Sequence, residues 1–199
     1  MYDVEDRVEY SLRQYVDDVC LVLDEGLALP AQLRRIADFK RRLLIQEGVL
    51  SAGQLETIEG RPYTRNLLFR DPKGRFVVVA ILWGGHTVSP VHDHRTWAVM
   101  GVYDNYVRIT NFERIDDGSR TDHARLEPKE ALIAPRGSVG YVLPPFQEIH
   151  QMENPTGRPT VGIHTYGRAV EECTVFDLAT GSTATLPLRF DHDLSNTMK

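Results

Sequence analysis

The sequence predicts a mainly β protein, an antiparallel barrel or sandwich preceded by N-terminal helices. Three observations lead there. Apolar residues recur at helical spacing only in the first part of the chain; from Arg61 onward short β-rich runs alternate with turn residues; and His92 and His94 stand one residue apart inside that second part. Short strands separated by Gly, Pro and Asn are the pattern of an all-β body, since each strand must turn back to find a partner.

The helices come first. Val4, Val8, Leu12, Val16, Val19 and Leu23 recur every three or four residues, which places them on one face of a helix ending near Gly26. Pro30 suits a first helical turn, where its missing N–H costs nothing, and Leu33, Ile36, Leu43 and Leu44 carry a second apolar stripe. The remaining face, Arg34, Arg35, Lys40, Arg41 and Arg42, is basic, and such a run on an amphipathic helix reads as solvated. Ser51 and Gln54 resemble a capping box opening a short third helix. Residues 1–59 are thus a helical part expected to pack on a β-barrel of residues 60–199 with a C-terminal tail, the whole forming a single domain.

The strands follow in order. Thr64 to Phe69 is the first, and Asp71-Pro72-Lys73-Gly74 has Pro and Gly where a type I turn favours them. Arg75 to Trp83 is apolar without a break from Val77 to Leu82, too continuous for a half-exposed strand, so it should be central. Trp97 to Tyr103 is a second buried run, with Asp104-Asn105 expected to close a hairpin. Further strands are expected at Tyr106 to Glu113, Ala131 to Ala134, Gln147 to Glu153, Thr160 to Tyr166 and Cys173 to Asp177. Turns fall at Asp117-Gly118, Pro135-Arg136-Gly137, Pro144-Pro145 and Asn154-Pro155-Thr156-Gly157.

Composition excludes several classes. A formal net charge of -5 over 199 residues argues against a general nucleic-acid binder, which needs a basic footprint to displace counterions. No apolar run approaches the roughly 20 residues of a membrane span. Two cysteines and no signal peptide indicate a reducing, cytoplasmic setting. A monomer or weak homo-oligomer is expected.

The candidate site begins at Pro90-Val91-His92-Asp93-His94. In an extended segment side chains alternate, so the two imidazoles share a face and Asp93 points away. Imidazole is the commonest metal ligand, and a same-face pair offers two ligands of a metal site. Of the seven histidines, His86, His123 and His192 fall in turns, loops or the polar tail and read as surface residues. His150 lies in an expected strand ended by Asn154-Pro155 and supplies a third neutral ligand. Three protein ligands leave open coordination positions, as catalytic metal sites require.

The segments Pro90-Val-His-Asp-His-Arg-Thr-Trp97, His150-Gln-Met-Glu-Asn154 and Gly162-Ile-His-Thr-Tyr-Gly167 resemble the thiol dioxygenases of the cupin superfamily, the group of cysteine dioxygenase and bacterial 3-mercaptopropionate dioxygenase. The likeness runs from about Tyr63 to Tyr166. It implies a cupin-type antiparallel β-barrel, or jelly roll, and a mononuclear non-haem Fe(II) held by His92, His94 and His150. It also implies that His164 and Tyr166 act around the iron, with O2 and a small thiol as substrates. On their own, His164 reads as a satisfied core histidine and Tyr166 as a packed aromatic.

The resemblance breaks in two places. The family usually has a serine where this chain has Gly162, so the orientation of His164 must depend on water or on a residue such as Thr160 or Thr165. The cysteine that animal cysteine dioxygenases crosslink to their tyrosine would fall near Trp97-Ala98-Val99, where this chain has none, so no thioether to Tyr166 is expected. Tyr63-Thr64-Arg65 resembles the cysteine dioxygenase segment whose arginine clamps the substrate carboxylate, and a guanidinium fork matches a carboxylate in a bidentate way. Arg168 is a second possible anchor. Three neutral imidazoles leave a ferrous ion its full charge, which favours an anionic thiolate and a carboxylate beside it. The implied reaction converts L-cysteine or 3-mercaptopropionate to its sulfinate; the alternatives are a non-catalytic metal- or ligand-binding cupin and a three-histidine zinc hydrolase.

Overall fold

A strand that is apolar at every position needs both faces covered, and the architecture covers them. The computed structural model describes residues 10–51, 58, 60–144 and 148–197. Two helices, α1 (Leu12–Asp24) and α2 (Leu29–Leu44), precede thirteen strands. These are β1 (Tyr63–Arg70), β2 (Val77–Trp83), β3 (Thr87–Val88), β4 (Val91–His92), β5 (Ala98–Asp104), β6 (Tyr106–Arg114), β7 (Leu126–Pro135), β8 (Val139–Val142), β9 (His150–Asn154), β10 (Thr160–Tyr166), β11 (Glu172–Phe176), β12 (Thr183–Pro187) and β13 (His192–Asp193).

They form two sheets, in neighbour order β13-β1-β2-β10-β5-β8 and β12-β11-β4-β9-β6-β7, with β3 also on β9. Every pair is antiparallel except β1 with β13. The result is a jelly-roll-like sandwich rather than a barrel with one closed ladder.

β2 shows why the first sheet is apolar throughout. Val78, Ala80 and Leu82 pack into a core with α1 and α2, while Val77, Val79, Ile81 and Trp83 face the interior between the sheets. Strand alternation therefore serves two cores at once, with the helices lying on the outer face of the sheet. From α2, Leu33, Ile36, Leu43 and Leu44 are fully buried there, each such side chain contributing about 1.5–3 kcal/mol.

Three expectations are corrected, and a fourth lies mainly outside the described residues. α1 starts after Ser11, whose side chain accepts the Gln14 N–H while Gln14 returns a bond to the Ser11 N–H; this capping box fixes the start regardless of the apolar spacing before it, and Val4 and Val8 lie outside the described residues. The proposed third helix beginning at Ser51 falls largely outside them too. Lys40 is not on the solvated face: it is fully buried, because it stands four residues after Ile36 and four before Leu44, in the apolar stripe. Asp104-Asn105 does not close a hairpin, since β5 pairs with β10 and β8 whereas β6 pairs with β7 and β9. Asn105, at a φ of 65°, instead carries the chain across a corner from one sheet to the other, a left-handed conformation that Asn tolerates. The Asp71 to Gly74 turn stands, with the Gly74 N–H on Asp71 O at 2.8 Å.

Candidate metal centre

His92 ends β4 and stands opposite His150, the first residue of β9, in the antiparallel ladder. His94 follows two residues on and returns to the same side. The three rings converge, with centroids 5.0 Å apart for His92 and His94 and 4.8 Å for each to His150, and one ligand atom from each lies within 4.8 Å of the others. Asp93 points away as its parity requires: its carboxylate accepts the Thr174 N–H at 2.8 Å, tying the end of β4 to β11.

The turn after His94 has a support that sequence reasoning missed. Arg95 adopts a φ of 52°, a left-handed conformation uncommon outside glycine, and the Glu148 carboxylate accepts its N–H at 3.0 Å. Burial pushes the Glu148 carboxyl above the usual range, with the neighbouring Asp93 charge adding to it. The available signal was its place two residues before His150.

All three imidazoles are held neutral. Burial, and then the neighbouring imidazoles, keep His94 and His150 well below the usual 6.5; burial also lowers His92, against its hydrogen bond to Pro90. His92 Nδ1 lies 2.9 Å from Pro90 O, so the proton belongs there and Nε2 is left for a ligand. His94 Nδ1 is buried with no hydrogen-bond partner among the described residues, and buried polar atoms are rarely left so. Neutral, convergent imidazoles with uncommitted nitrogens fit a divalent transition metal.

His164 and Tyr166 face the same cavity from β10, two residues apart, and both line it. His164 Nδ1 is 3.1 Å from the Tyr166 hydroxyl, and the Tyr166 ring centroid is 5.1 Å from that of His94. Burial pushes the Tyr166 phenol up to about 12, opposed by the Arg65 charge, and burial with the charges of Lys40 and Arg65 takes His164 down to about 3. Both are neutral at physiological pH. A Cβ at Gly162 would lie 2.6 Å from His164 Nε2 and 3.1 Å from Trp83, so the imidazole occupies the space a serine side chain would take. Neither threonine bonds to the His164 ring: Thr160 donates to Tyr106 O, and Thr165 faces the helices, as a neighbour of two inward residues must.

Arg65 of β1 is buried and lines the cavity beside Tyr63. Its guanidinium donates to Val170 O at 3.1 Å and Arg189 O at 3.3 Å and lies 5.1 Å from the Phe190 ring centroid. Its described partners are thus carbonyl oxygens and an aromatic face, with no carboxylate among them. Arg168 does not join it. That side chain is exposed, bonded to Arg95 O at 3.3 Å, and outside the lining, because β10 has ended at Tyr166 and the chain is turning outward. Cys173, by contrast, lines the cavity, since β11 pairs with β4 and brings Val175 opposite His92. Burial pushes its thiol up to about 11. His86, His123 and His192 lie outside the lining.

The cavity holds about 50 Å³, against roughly 10–15 Å³ for one water. That is room for a small molecule.

No protein-family model matches the sequence. The chain is 25% identical over 130 residues to cysteine dioxygenase type 1 of Danio rerio, a match covering 64% of this chain and 62% of that protein's length. Among solved structures, it is similar to an oxalate oxidase (11% identity, 62% of this chain and 61% of that one, TM-score 0.45). A Klebsiella pneumoniae protein with a double-stranded β-helix domain gives 10% identity, coverage of 72% and 100%, and a TM-score of 0.44. A hydroquinone 1,2-dioxygenase gives 17%, 56% and 68%, and 0.42. Likeness at that level carries no chemistry over. The chain thus joins a jelly-roll-like sandwich to a three-histidine cluster, and in sequence it is similar to a cysteine dioxygenase over 62% of that protein's length.

Proposed function

We propose that this protein is an iron-dependent thiol dioxygenase that converts a small thiol-bearing carboxylic acid to its sulfinate. The observation that carries the reading is a buried guanidinium whose described partners are neutral, lining the same small cavity as three neutral imidazoles. That pairing calls for a ligand with a carboxylate at one end and a metal-seeking anion at the other, and 25% identity to a cysteine dioxygenase points to a thiol.

In the net reaction RSH and O2 give RSO2H: the S–H and O–O bonds break, two S–O bonds and one O–H bond form, sulfur gives up four electrons to oxygen, and the sulfinic proton passes to solvent at neutral pH. Iron held by His92, His94 and His150 would supply thiolate affinity and electron exchange with dioxygen, which side chains lack. The protein's part is orientation and charge. Arg65 takes the carboxylate in a bidentate grip, fixing the distance between the acid and the sulfur. With its proton on Nδ1, His164 donates to the Tyr166 oxygen and leaves the phenolic hydrogen free to point into the cavity. The raised phenol keeps that hydrogen at neutral pH. Apolar Ile81, Val170 and Leu188 in the lining keep bulk water low, which strengthens each polar contact.

The test is iron-loaded protein with cysteine, 3-mercaptopropionate, mercaptosuccinate and cysteamine, following oxygen uptake and sulfinate together. Acids should be turned over with one O2 consumed per sulfinate, and cysteamine, lacking the carboxylate, should be poor. Cysteamine matching the acids, or no sulfinate from any of them, would overturn the reading.

A further inference from the structure

Behind the strand that carries His164 and Tyr166 lies a polar cluster that the proposed chemistry does not use. Lys40 of α2 is fully buried. Its Nζ donates to Thr165 Oγ1 at 2.7 Å and to Ile163 O at 3.2 Å, the residues on either side of His164. The Tyr15 hydroxyl of α1 stands 2.7 Å from the same Thr165 oxygen, and Lys40 Nζ lies 4.5 Å from the Tyr15 ring centroid. No carboxylate among the described residues pairs with the amine, and burial pushes its pKa well below the usual lysine value.

The slot is built for this side chain. Gly101 of β5 stands opposite Ile163, and a Cβ there would come within 3.1 Å of Lys40 Cγ and 2.5 Å of Leu44 Cδ1. The absent side chain lets the lysine stem lie flat on the sheet and bring its nitrogen to β10. If this position had only to fill space between helix and sheet, leucine or methionine would do so without desolvating an amine. What the amine adds is a pair of directional bonds, both to the stretch whose other face enters the cavity.

We propose that Lys40 is a positioning residue for the metal centre, tying the back of β10 to α2 so that His164 and Tyr166 keep the separation their hydrogen bond needs. This deepens the dioxygenase reading and rests on it for the consequence in turnover, though not for the geometry. Thr165 is the joint: it receives Lys40 and Tyr15 on the helix side while its neighbours face the cavity.

The experiment compares Lys40→Met, Thr165→Val, their double variant and Thr165→Ser, with exposed Arg41→Met as control. Side-chain nitrogen NMR of the histidines is recorded in metal-free and zinc-loaded protein, His164 being assigned by its loss in His164→Asn. Lys40→Met and Thr165→Val should each displace or split the His164 signal while leaving His92, His94 and His150 in place. In iron-loaded protein kcat should fall about tenfold with KM within about twofold, the pattern of lost positioning rather than lost binding. The double variant should fall short of the product of the two single effects, since both break the Lys40–Thr165 bond, and Thr165→Ser, which keeps the hydroxyl, should resemble the parent.

Variants that lower thermal stability but leave the His164 signal and kcat unchanged would make Lys40 a structural lysine only and overturn the proposal. So would movement of all four histidine signals together. If Lys40→Met does not fold, Thr165→Val, which conserves shape, decides. If the parent turns over no thiol, the dioxygenase reading fails, and the metal-free spectra still decide on Lys40.

Discussion

Arg65 and Gly162 are the residues on which the chemistry of this cavity turns, and each can be tested alone. Replacing Arg65 by Gln removes the one guanidinium among the described residues lining the cavity and would leave the proposed substrate carboxylate without its bidentate partner. The loss should be about 2–4 kcal/mol, a fall in kcat/KM for thiol acids of roughly thirty- to a thousand-fold, and the lead of the acids over cysteamine should narrow. Unchanged turnover of the acids would show that the carboxylate binds elsewhere. Gly162→Ser puts a Cβ where His164 Nε2 now lies, 2.6 Å away, so the ring must swing and its 3.1 Å contact to Tyr166 must break or lengthen. A fall in kcat of about tenfold or more at constant KM is expected, and a serine variant as active as the parent would refute the role given to that contact. Why some site residues were legible in sequence and others were not is a matter of range. That His92 and His94 share a face, and that His164 and Tyr166 share one, follows from alternation within each segment; that the second pair stands at the same cavity was implied by the family resemblance alone. Cys173 and Glu148 enter through strand pairing and a turn across tens of residues, and Arg168 leaves because a strand ends two residues before it.

At the scale of elements, unbroken apolar runs marked the strands buried on both faces, and β2 and β10 were read within a few residues of their ends. β8 and β12 were missed because they lie at sheet edges with largely exposed side chains, so no apolar pattern marks them. The corner at Asn105 was taken for a hairpin because a turn signal reports reversal, not which sheet receives the next strand. The seam between α2 and the first sheet offers a test of how tightly helix and strand are fitted. Gly101→Ala drives a methyl to 2.5 Å from Leu44 Cδ1 and 3.1 Å from Lys40 Cγ. Leu44 can yield, being the end of a flexible side chain, but it is fully buried and has little room. A loss of about 1–3 kcal/mol is expected in urea unfolding, with the helix displaced from β5. An unchanged midpoint would mean the seam is looser than its distances indicate.

For the whole molecule the decisive quantity is the set of imidazoles it folds around in neutral form. His164 is lowered to about 3, and His92, His94 and His150 are lowered as well, burial being the first cause for each. A histidine whose folded pKa lies below the unfolded value of about 6.5 binds its proton more readily when unfolded, so stability is whole above that value and is lost as pH falls toward the folded one. Each group inside its window removes about 1.4 kcal/mol per pH unit. Asp71, held down by its bonds to Arg75, begins to count only as pH falls past its ordinary 3.8, and Glu148, raised by burial, binds its proton more readily when folded and so opposes the decline. Between about pH 6.5 and 4.5 the decline therefore belongs to the histidines. Zinc or ferrous iron on the three ligands competes with those protons, and by mass action it raises stability by an amount that grows with metal concentration. Thermal unfolding of metal-free protein should fall steeply over that range, metal should lift the curve most at its upper end, and His92→Ala or His150→Ala should abolish most of the metal effect while His86→Ala leaves it. A flat pH dependence from 7.5 to 5.5, or metal stabilisation that survives both alanine substitutions, would mean that the three imidazoles are not the ligands and that the cavity's chemistry must be sought without them.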